Sequence, residues 1–341
     1  MVWHNPARLL APLPRRLRLR AEMTIEALIS RVLLGRHYDL VYLNTAAVWR
    51  FAPLLAKRSR HILWHIHELD YSLRLNIGES QIRRLFPLAS RFVVVSQAVQ
   101  EVLNRNFGVA ADRMDLVHGF VDAPTFNPSD RMDCRKRLLD ALGWPADSFV
   151  IGACGAMGWC KGTDLFLQIA RSMHQFEVDS PIRFLWVGGK AEGDEALRFE
   201  HDRQLFELTQ YCASVPTTAN VSDYFKAMDV FALTSREDAF PLVMLEAGAF
   251  QLPTVCFQAT GGGPEFVADD AGLVAPYLDL PGFARHLETL RGDPELRQQM
   301  GNAAARKVRT HHVVESQGPK ILSAIKRSLL STGEKSQSET L

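Results

Sequence analysis

The chain has 341 residues, 47% hydrophobic and 23% charged, with 39 Lys and Arg against 38 Asp and Glu. That length exceeds one ordinary core and predicts two domains. The near-zero charge balance excludes a basic nucleic-acid scaffold, and the apolar content excludes a mostly disordered chain.

Residues 1–20 carry Arg8, Arg15, Arg16, Arg18 and Arg20 with no acid before Glu22, and Pro12 and Pro14 interrupt the run. Leu17 and Leu19 stand between arginines, so no continuous apolar stretch makes a secretory signal. Two readings stay open: a solvated start, or a basic surface that leans on anionic lipid head groups in peripheral membrane contact. No run of about 18 apolar residues occurs anywhere, so no membrane span is expected. Cys134, Cys154, Cys160, Cys212 and Cys256 are scattered and lack a C-x-x-C pair. They read as reduced thiols of a cytoplasmic protein.

Ile25, Leu28, Ile29 and Val32 recur at helical spacing, with Gly35 placed to stop the helix. Short apolar runs then alternate with helical stretches: Leu40–Leu43, Ile62–Ile66, Phe92–Val95 and Leu116–Val117. Val121–Asp130, with Pro124 and Pro128, reads as a linker. The alternation restarts with Phe149–Cys154, Phe184–Val187, Val230–Leu233, Thr254–Phe257 and Leu273–Ala275. Strands apolar on both faces that alternate with helices predict parallel sheets. The expected organisation is therefore two doubly wound Rossmann-like α/β domains facing across a cleft. Residues 1–122 form the first, 123–147 the linker and start of the second, and 148–312 the second. A C-terminal helix follows over 313–330, then a polar, disordered tail over 331–341.

Four segments stand at predicted strand ends, where such sheets bind ligands. Gly152–Asp164 is glycine-rich and contains Gly155, Gly158, Lys161 and Gly162. Its spacing is not that of a P-loop, and a phosphate site and a plain turn with a solvated lysine both fit. Thr234–Ala247 places Asp238 just before a helix opened by Pro241, and Glu246 on the helix's second turn. Free amides there suit an anion and the carboxylates suit hydroxyls; a simple helix cap also fits. Thr260–Phe266 puts three glycines before a Pro-Glu helix start, either an amide-lined concavity or a flexible turn. On His61–Leu69, His65 and His67 face one side of a strand. A metal pair lacks a signposted third ligand, and a His and Glu at a cleft-facing strand end is the better reading.

Together these segments resemble the retaining glycosyltransferases of family 4, the glycosyl transferases group 1, which have the GT-B fold and use nucleotide-activated sugars. The resemblance runs from about Tyr38 to His312 and is strongest in SREDAFPLVMLEAGAFQLPTVCFQATGGGPEFV, Ser235–Val267. Weaker echoes are VVVSQAV at Val93–Val99, the His118–Asp122 turn and DVFALTS at Asp229–Ser235.

The resemblance implies residue roles. Lys161 neutralises the donor diphosphate and Gly155 lines the same pocket. Asp238 touches the hydroxyls of the transferred sugar, and Glu246 binds the ribose. Gly262 and Gly263 offer amides near sugar or phosphate, and His67 contacts the donor sugar on the catalytic face. Catalytic roles thus fall to His67, Asp238 and Lys161. It implies a nucleotide-diphosphate sugar as co-substrate, no metal or other cofactor, and a glycan or lipid-linked acceptor. The absence of a D-x-D motif agrees.

The sequence also departs from the family pattern. Ala156 stands where the family usually has Arg, Asp238 replaces the usual Glu, and Met1–Arg20 supply neither the opening strand nor its glycine-rich loop. A fragment, a late start or a divergent first segment would each explain the last point. Two other functions stay open: a catalytically degenerate nucleotide-sugar or glycan binder, and a nucleotide-sugar epimerase or phosphorylase of similar architecture.

Overall fold

The computed structural model describes residues 36–124, 127–174, 181–268 and 270–330. The expectations for the arginine-rich start, the helix around Ile25–Val32 and the tail after residue 330 lie outside the described residues.

The first sheet holds β1 (Tyr38–Leu43), β2 (Ser59–Ile66), β3 (Arg91–Val94) and β4 (Met114–Leu116), side by side in that order and all parallel. Helices α1 (Ala52–Ala56), α2 (Asp70–Asn76), α3 (Glu79–Leu85) and α4 (Gln97–Phe107) connect the strands. The last five residues of β2 are buried, as expected of a strand covered on both faces.

The second domain opens with α5 (Pro128–Leu142), whose first three residues fall within the Val121–Asp130 stretch expected to be linker. Pro128 is the reason: proline suits the first helical position as well as it suits a loop. Asn127 caps this helix through the Ser129 N–H at 3.2 Å, and Gly143 ends it with φ 63°. Arg131 and Arg135 tie α5 to Asp229 at 3.2 and 2.9 Å. Next come β5 (Phe149–Cys154), α6 (Thr163–His174), β6 (Ile182–Val187), α7 (Asp194–Leu205), β7 (Cys212–Val215) and α8 (Val221–Ala227). They are followed by β8 (Val230–Leu233), α9 (Leu242–Ala249), β9 (Thr254–Phe257), α10 (Gly263–Val267) and β10 (Gly272–Ala275). Helices α11 (Leu280–Gly292) and α12 (Pro294–His311) complete the domain.

All strands of this sheet are parallel, in the order β10-β9-β8-β5-β6-β7. The nine strands expected from sequence are present. The one missed, β7, is a short edge strand of small residues with only Cys212 fully buried, so it has no apolar run to announce it. Strand order reverses between β5 and β8, and crevices open at such switch points beyond the carboxyl ends of the strands. The fold is α/β, with two Rossmann-like domains.

The final helix, α13 (Val314–Leu330), returns to the first domain. Ala324, Ile321 and Ile325 pack on Leu63, Val93 and Val117 of the first sheet. Arg327 reaches Asp115 at 2.6 Å, a carboxylate already held by Arg91 at 3.0 Å. The chain therefore crosses between domains twice, and the two crossings are clipped together. The Val121 N–H donates to the His312 carbonyl at 2.9 Å, and His312 Nδ1 donates to the Gly119 carbonyl at 3.0 Å. The rings of Phe240, His118 and His312 form a three-way cluster, with centroids 5.2, 5.4 and 5.6 Å apart.

Candidate active site

The loops after β5 and β8 meet at the switch point. Gly162 has φ 66°, and a Cβ there would stand 2.0 Å from the Thr234 carbonyl oxygen, so only glycine lets these loops touch. The Thr234 hydroxyl donates to the Lys161 carbonyl at 3.0 Å, and the Arg236 N–H donates to that of Cys160 at 2.8 Å. The loop after β9 closes from the other side. A Cβ on Gly261 would lie 1.9 Å from the Asp238 carbonyl, and the Asp238 N–H donates to Thr260 at 2.8 Å. The β9 loop thus holds Asp238 through its backbone, and the β5 loop holds the residues just before it.

This grip places the Asp238 carboxylate on the Lys161 ammonium in a direct ion pair. The stem of Lys161 runs past Gly155, where an added Cβ would only just meet it at 3.7 Å. The Gly155 N–H continues the sheet ladder to Val187 at 2.9 Å, so this glycine contributes space beside the lysine. Glu246, on α9, is half-buried, and among the described residues no ion pair or side-chain hydrogen bond engages it; burial raises its pKa. Its charge also bears on Cys154 at the end of β5, whose thiol is pushed up to about 12 mainly by burial. Lys161, Asp238, Glu246 and Gly155 therefore share one end of the second sheet.

The glycine loop needs a correction. The Gly262 N–H, expected to face a ligand, donates instead to the carbonyls of Asp238 and Ala239, both at 3.2 Å. It buttresses the loop that presents Asp238. Gly263 opens the five-residue α10, and a Cβ there would lie 2.9 Å from Leu233. The Pro241 expectation also shifts by one position, because this residue caps α9 from just outside it.

Across from these loops, the end of β2 carries His65 and His67 on one side, their ring centroids 4.0 Å apart. Their roles diverge. His65 is buried, Tyr42 Oη lies 2.6 Å from its Nδ1, and burial lowers its pKa to about 3. The same burial lifts Tyr42 to about 12, so both groups are neutral at pH 7. His67 is open to the cleft, its Nε2 donating to Asn44 Oδ1 at 3.2 Å. The surrounding protein lowers its pKa, and Glu68 pulls it back upward. Glu68 in turn accepts from the backbone of His67 and Ala46 at 2.9 and 3.1 Å. Among the described residues no three His, Cys, Asp or Glu side chains are placed to share a metal ion. His65 and His67 stand ring against ring at the strand end.

Arg236, on the β8 loop beside Asp238, is the side-chain cation placed to replace the arginine absent at Ala156. Its guanidinium instead clasps both oxygens of Asp164 at 2.7 Å and the Trp159 carbonyl at 3.0 Å. Ala156 itself is exposed. The residues overlooked were Glu237 and Glu265, whose partners lie in the other domain.

Comparison with known proteins bears on the family and the fold. The family model "Glycosyl transferases group 1" matches residues 135–307, just over half of the chain, and "Glycosyltransferase Family 4" matches residues 2–123. The chain belongs to the glycosyl transferases group 1 family. A D-inositol 3-phosphate glycosyltransferase of Kineococcus radiotolerans is 30% identical over 248 residues, 68% of this chain and 55% of the relative. One of Catenulispora acidiphila is 27% identical over 224 residues, 64% of this chain and 52% of the relative. The chain thus spans about half the length of these curated relatives. Among solved structures, Anabaena Alr3699/HepE in complex with UDP and glucose superposes with TM-score 0.74 at 20% identity, covering 88% of this chain and 80% of that one. Sucrose-phosphate synthase of Thermosynechococcus elongatus gives 0.71 at 20% identity, covering 85% and 73%. These likenesses identify the fold as that of the GT-B glycosyltransferases. Among the described residues no helix is long and apolar enough to cross a membrane.

Proposed function

We propose that this family member transfers a sugar from a nucleotide-diphosphate donor to a hydroxyl of a glycan or lipid-linked acceptor, without a metal and with retention at the anomeric carbon. The observation that carries the reading is the Lys161–Asp238 pair beside the unpaired Glu246 at the switch point. A partly exposed ion pair is worth about 1 kcal/mol or less. A pyrophosphate, with more charge, can therefore take over the ammonium and free Asp238 for sugar hydroxyls. Glu246 then accepts from the ribose hydroxyls, which relieves its lack of a partner.

In the transfer step the bond from C1 of the sugar to the diphosphate oxygen breaks and negative charge gathers on the leaving group. Lys161 stabilises that charge. The acceptor oxygen forms the new bond from the same face and its proton passes to the departing phosphate oxygen. His67, neutral and held by Asn44, lines the opposite wall near the sugar. The protein is read as cytoplasmic, with its acceptor reached at a membrane surface or on a free glycan. Because Alr3699/HepE is described with UDP-glucose, uridine diphosphate sugars head the donor panel. Turnover of one donor with product of unchanged anomeric configuration is expected; no turnover and no binding with any donor overturns the reading.

One observation favours a second reading, a binder without turnover. Arg236 is locked on Asp164 and Ala156 is exposed, so Lys161 meets the diphosphate without the family's arginine. Calorimetry beside the turnover assay separates the two, since the binder holds nucleotide yet releases no product.

A further inference from the structure

Helix α2 starts at Asp70, directly after the loop that carries His67. Its cap position is Leu69, whose side chain accepts no hydrogen bond, so among the described residues the first-turn N–H groups have no side-chain cap from their own domain. Glu237 of the second domain supplies one. Its Oε2 accepts from the Tyr71 N–H at 3.1 Å and its Oε1 from the Ser72 N–H at 3.0 Å. An anion here also meets the positive end of the helix dipole. Beside this contact the Tyr71 ring meets that of Trp159, centroids 4.8 Å apart, and Leu69 lies against Gly261. A second carboxylate of the second domain reaches the start of α4, which Ser96 also caps through the Val99 N–H at 3.2 Å. Glu265 accepts from the Gln97 N–H at 2.9 Å, while its other oxygen lies 2.6 Å from His118 Nε2.

Both carboxylates belong to the loops that build the donor side. Glu237 directly precedes Asp238, and its own N–H and that of Arg236 are bonded to the Cys160 carbonyl, beside Lys161. Glu265 follows Gly262 and Gly263. A displacement of the Lys161–Asp238 loops therefore moves the groups that hold the first domain.

We propose that Glu237, with Glu265 as its second contact, is a positioning residue that holds the His67 loop of the first domain closed over the donor loops of the second. Closure excludes water, so the clamp governs how much donor goes to acceptor and how much to hydrolysis. This deepens the sugar-transfer reading and rests on it for its kinetic consequence; the clamp itself is a property of the fold.

The test uses the full chain and the variants Glu237→Gln, which keeps one acceptor, Glu237→Ala, and the double variant Glu237→Ala/Glu265→Ala. Hydrogen exchange should quicken about tenfold in the peptide spanning residues 70–74 of Glu237→Ala, with the donor loops unchanged. Small-angle scattering should show the double variant expanded. UDP, as the probe nucleotide, should bind each variant within about twofold of the parent. With the donor found in the panel, transfer kcat should fall about tenfold in Glu237→Gln and further in Glu237→Ala, the donor KM should hold, and the hydrolysed share should rise. Unchanged exchange and scattering overturn the clamp, and so does a loss of UDP affinity equal to the loss of turnover. If the parent binds no nucleotide, the function proposed above fails while exchange and scattering still decide the clamp. If Glu237→Ala fails to fold, Glu237→Gln carries the same measurements.

Discussion

The two domains use the same βα alternation to different ends. In the first, most polar groups at the strand ends already have partners: Tyr42 with His65 Nδ1, Asn44 with His67, and Glu68 with the backbone of Ala46 and His67, while among the described residues the buried His65 Nε2 is left without one. That domain also relies on α13 from the far end of the chain to cover its sheet. In the second, the loops at the switch point hold a largely buried ion pair and, among the described residues, a carboxylate without a partner. The contrast teaches a division of labour. One domain is a frame that presents His67; the other keeps charges free to be redirected by a ligand.

The strongest way to break that division is to strip one group from each side. Lys161→Ala removes the only side-chain cation assigned here to the leaving group. Turnover of the donor should fall by about a hundred- to a thousandfold, the range for a lost transition-state charge contact. Tyr42→Phe removes a hydroxyl that only orients His65 and should cost at most about tenfold. Steady-state kinetics on both variants, with circular dichroism to confirm folding, makes the comparison. Equal losses would mean that the first domain is more than a frame.

Acid offers the next test, at the crossings between the domains. Burial lowers the His312 pKa to about 4 from its ordinary 6.5. The unfolded chain therefore binds a proton that the native chain refuses between those values. The associated stability is fully present above about 6.5 and is lost as pH falls through about 4. The loss amounts to about 3 kcal/mol. His65, lowered to about 3, extends the decline further into acid. Melting temperature measured from pH 7 to pH 4 should drop steadily, and His312→Phe should flatten the upper part of that curve. A flat parent curve would mean that the crossing histidine is not held neutral.

How much of this was legible depended on the range of the interaction. Nine strands could be read because each is a local apolar run, and β7 could not because Cys212–Val215 is a half-covered edge. Pro128 misled because one ring serves both a loop and a helix start. Lys161, Asp238 and Glu246 stood out one by one from motif spacing. Their pairing did not, since it depends on Gly162 and Gly261 admitting neighbouring loops to contact. The same limit hid Glu237, whose partners lie 166 and 165 residues away. Gly262 shows the opposite error: a glycine read as open to ligand has its N–H committed to the chain.

Glu246→Gln sharpens the contrast within the second domain. The Glu246 carboxyl has a raised pKa from burial, so its favourable contribution is complete below the ordinary 4.5 and is lost as pH rises through the raised value. At pH 7 the ionised group is a net cost that glutamine does not carry. The variant should melt slightly higher than the parent at pH 7 and no higher at pH 4. Donor affinity should fall about tenfold, as a charged acceptor is replaced by a neutral one. Such opposite movements mark a group kept for binding; a parallel fall in both would make Glu246 structural.

The smallest expected effect comes from restoring the family's arginine at Ala156. The position is exposed and follows Gly155, while Arg236 stays with Asp164. A half-exposed arginine meeting a phosphate gains less than about 1 kcal/mol. Ala156→Arg should therefore tighten UDP binding about threefold, with most of the gain gone in high salt. Turnover should rise by a similar factor if the parent already transfers sugar, because Lys161 supplies the larger share of the charge. A gain far beyond tenfold would reassign that share, making the diphosphate clamp a two-cation device in which this chain lacks the dominant member. No gain would show that the β5 loop lies too far from the phosphates for residue 156 to matter, leaving Lys161 to act alone.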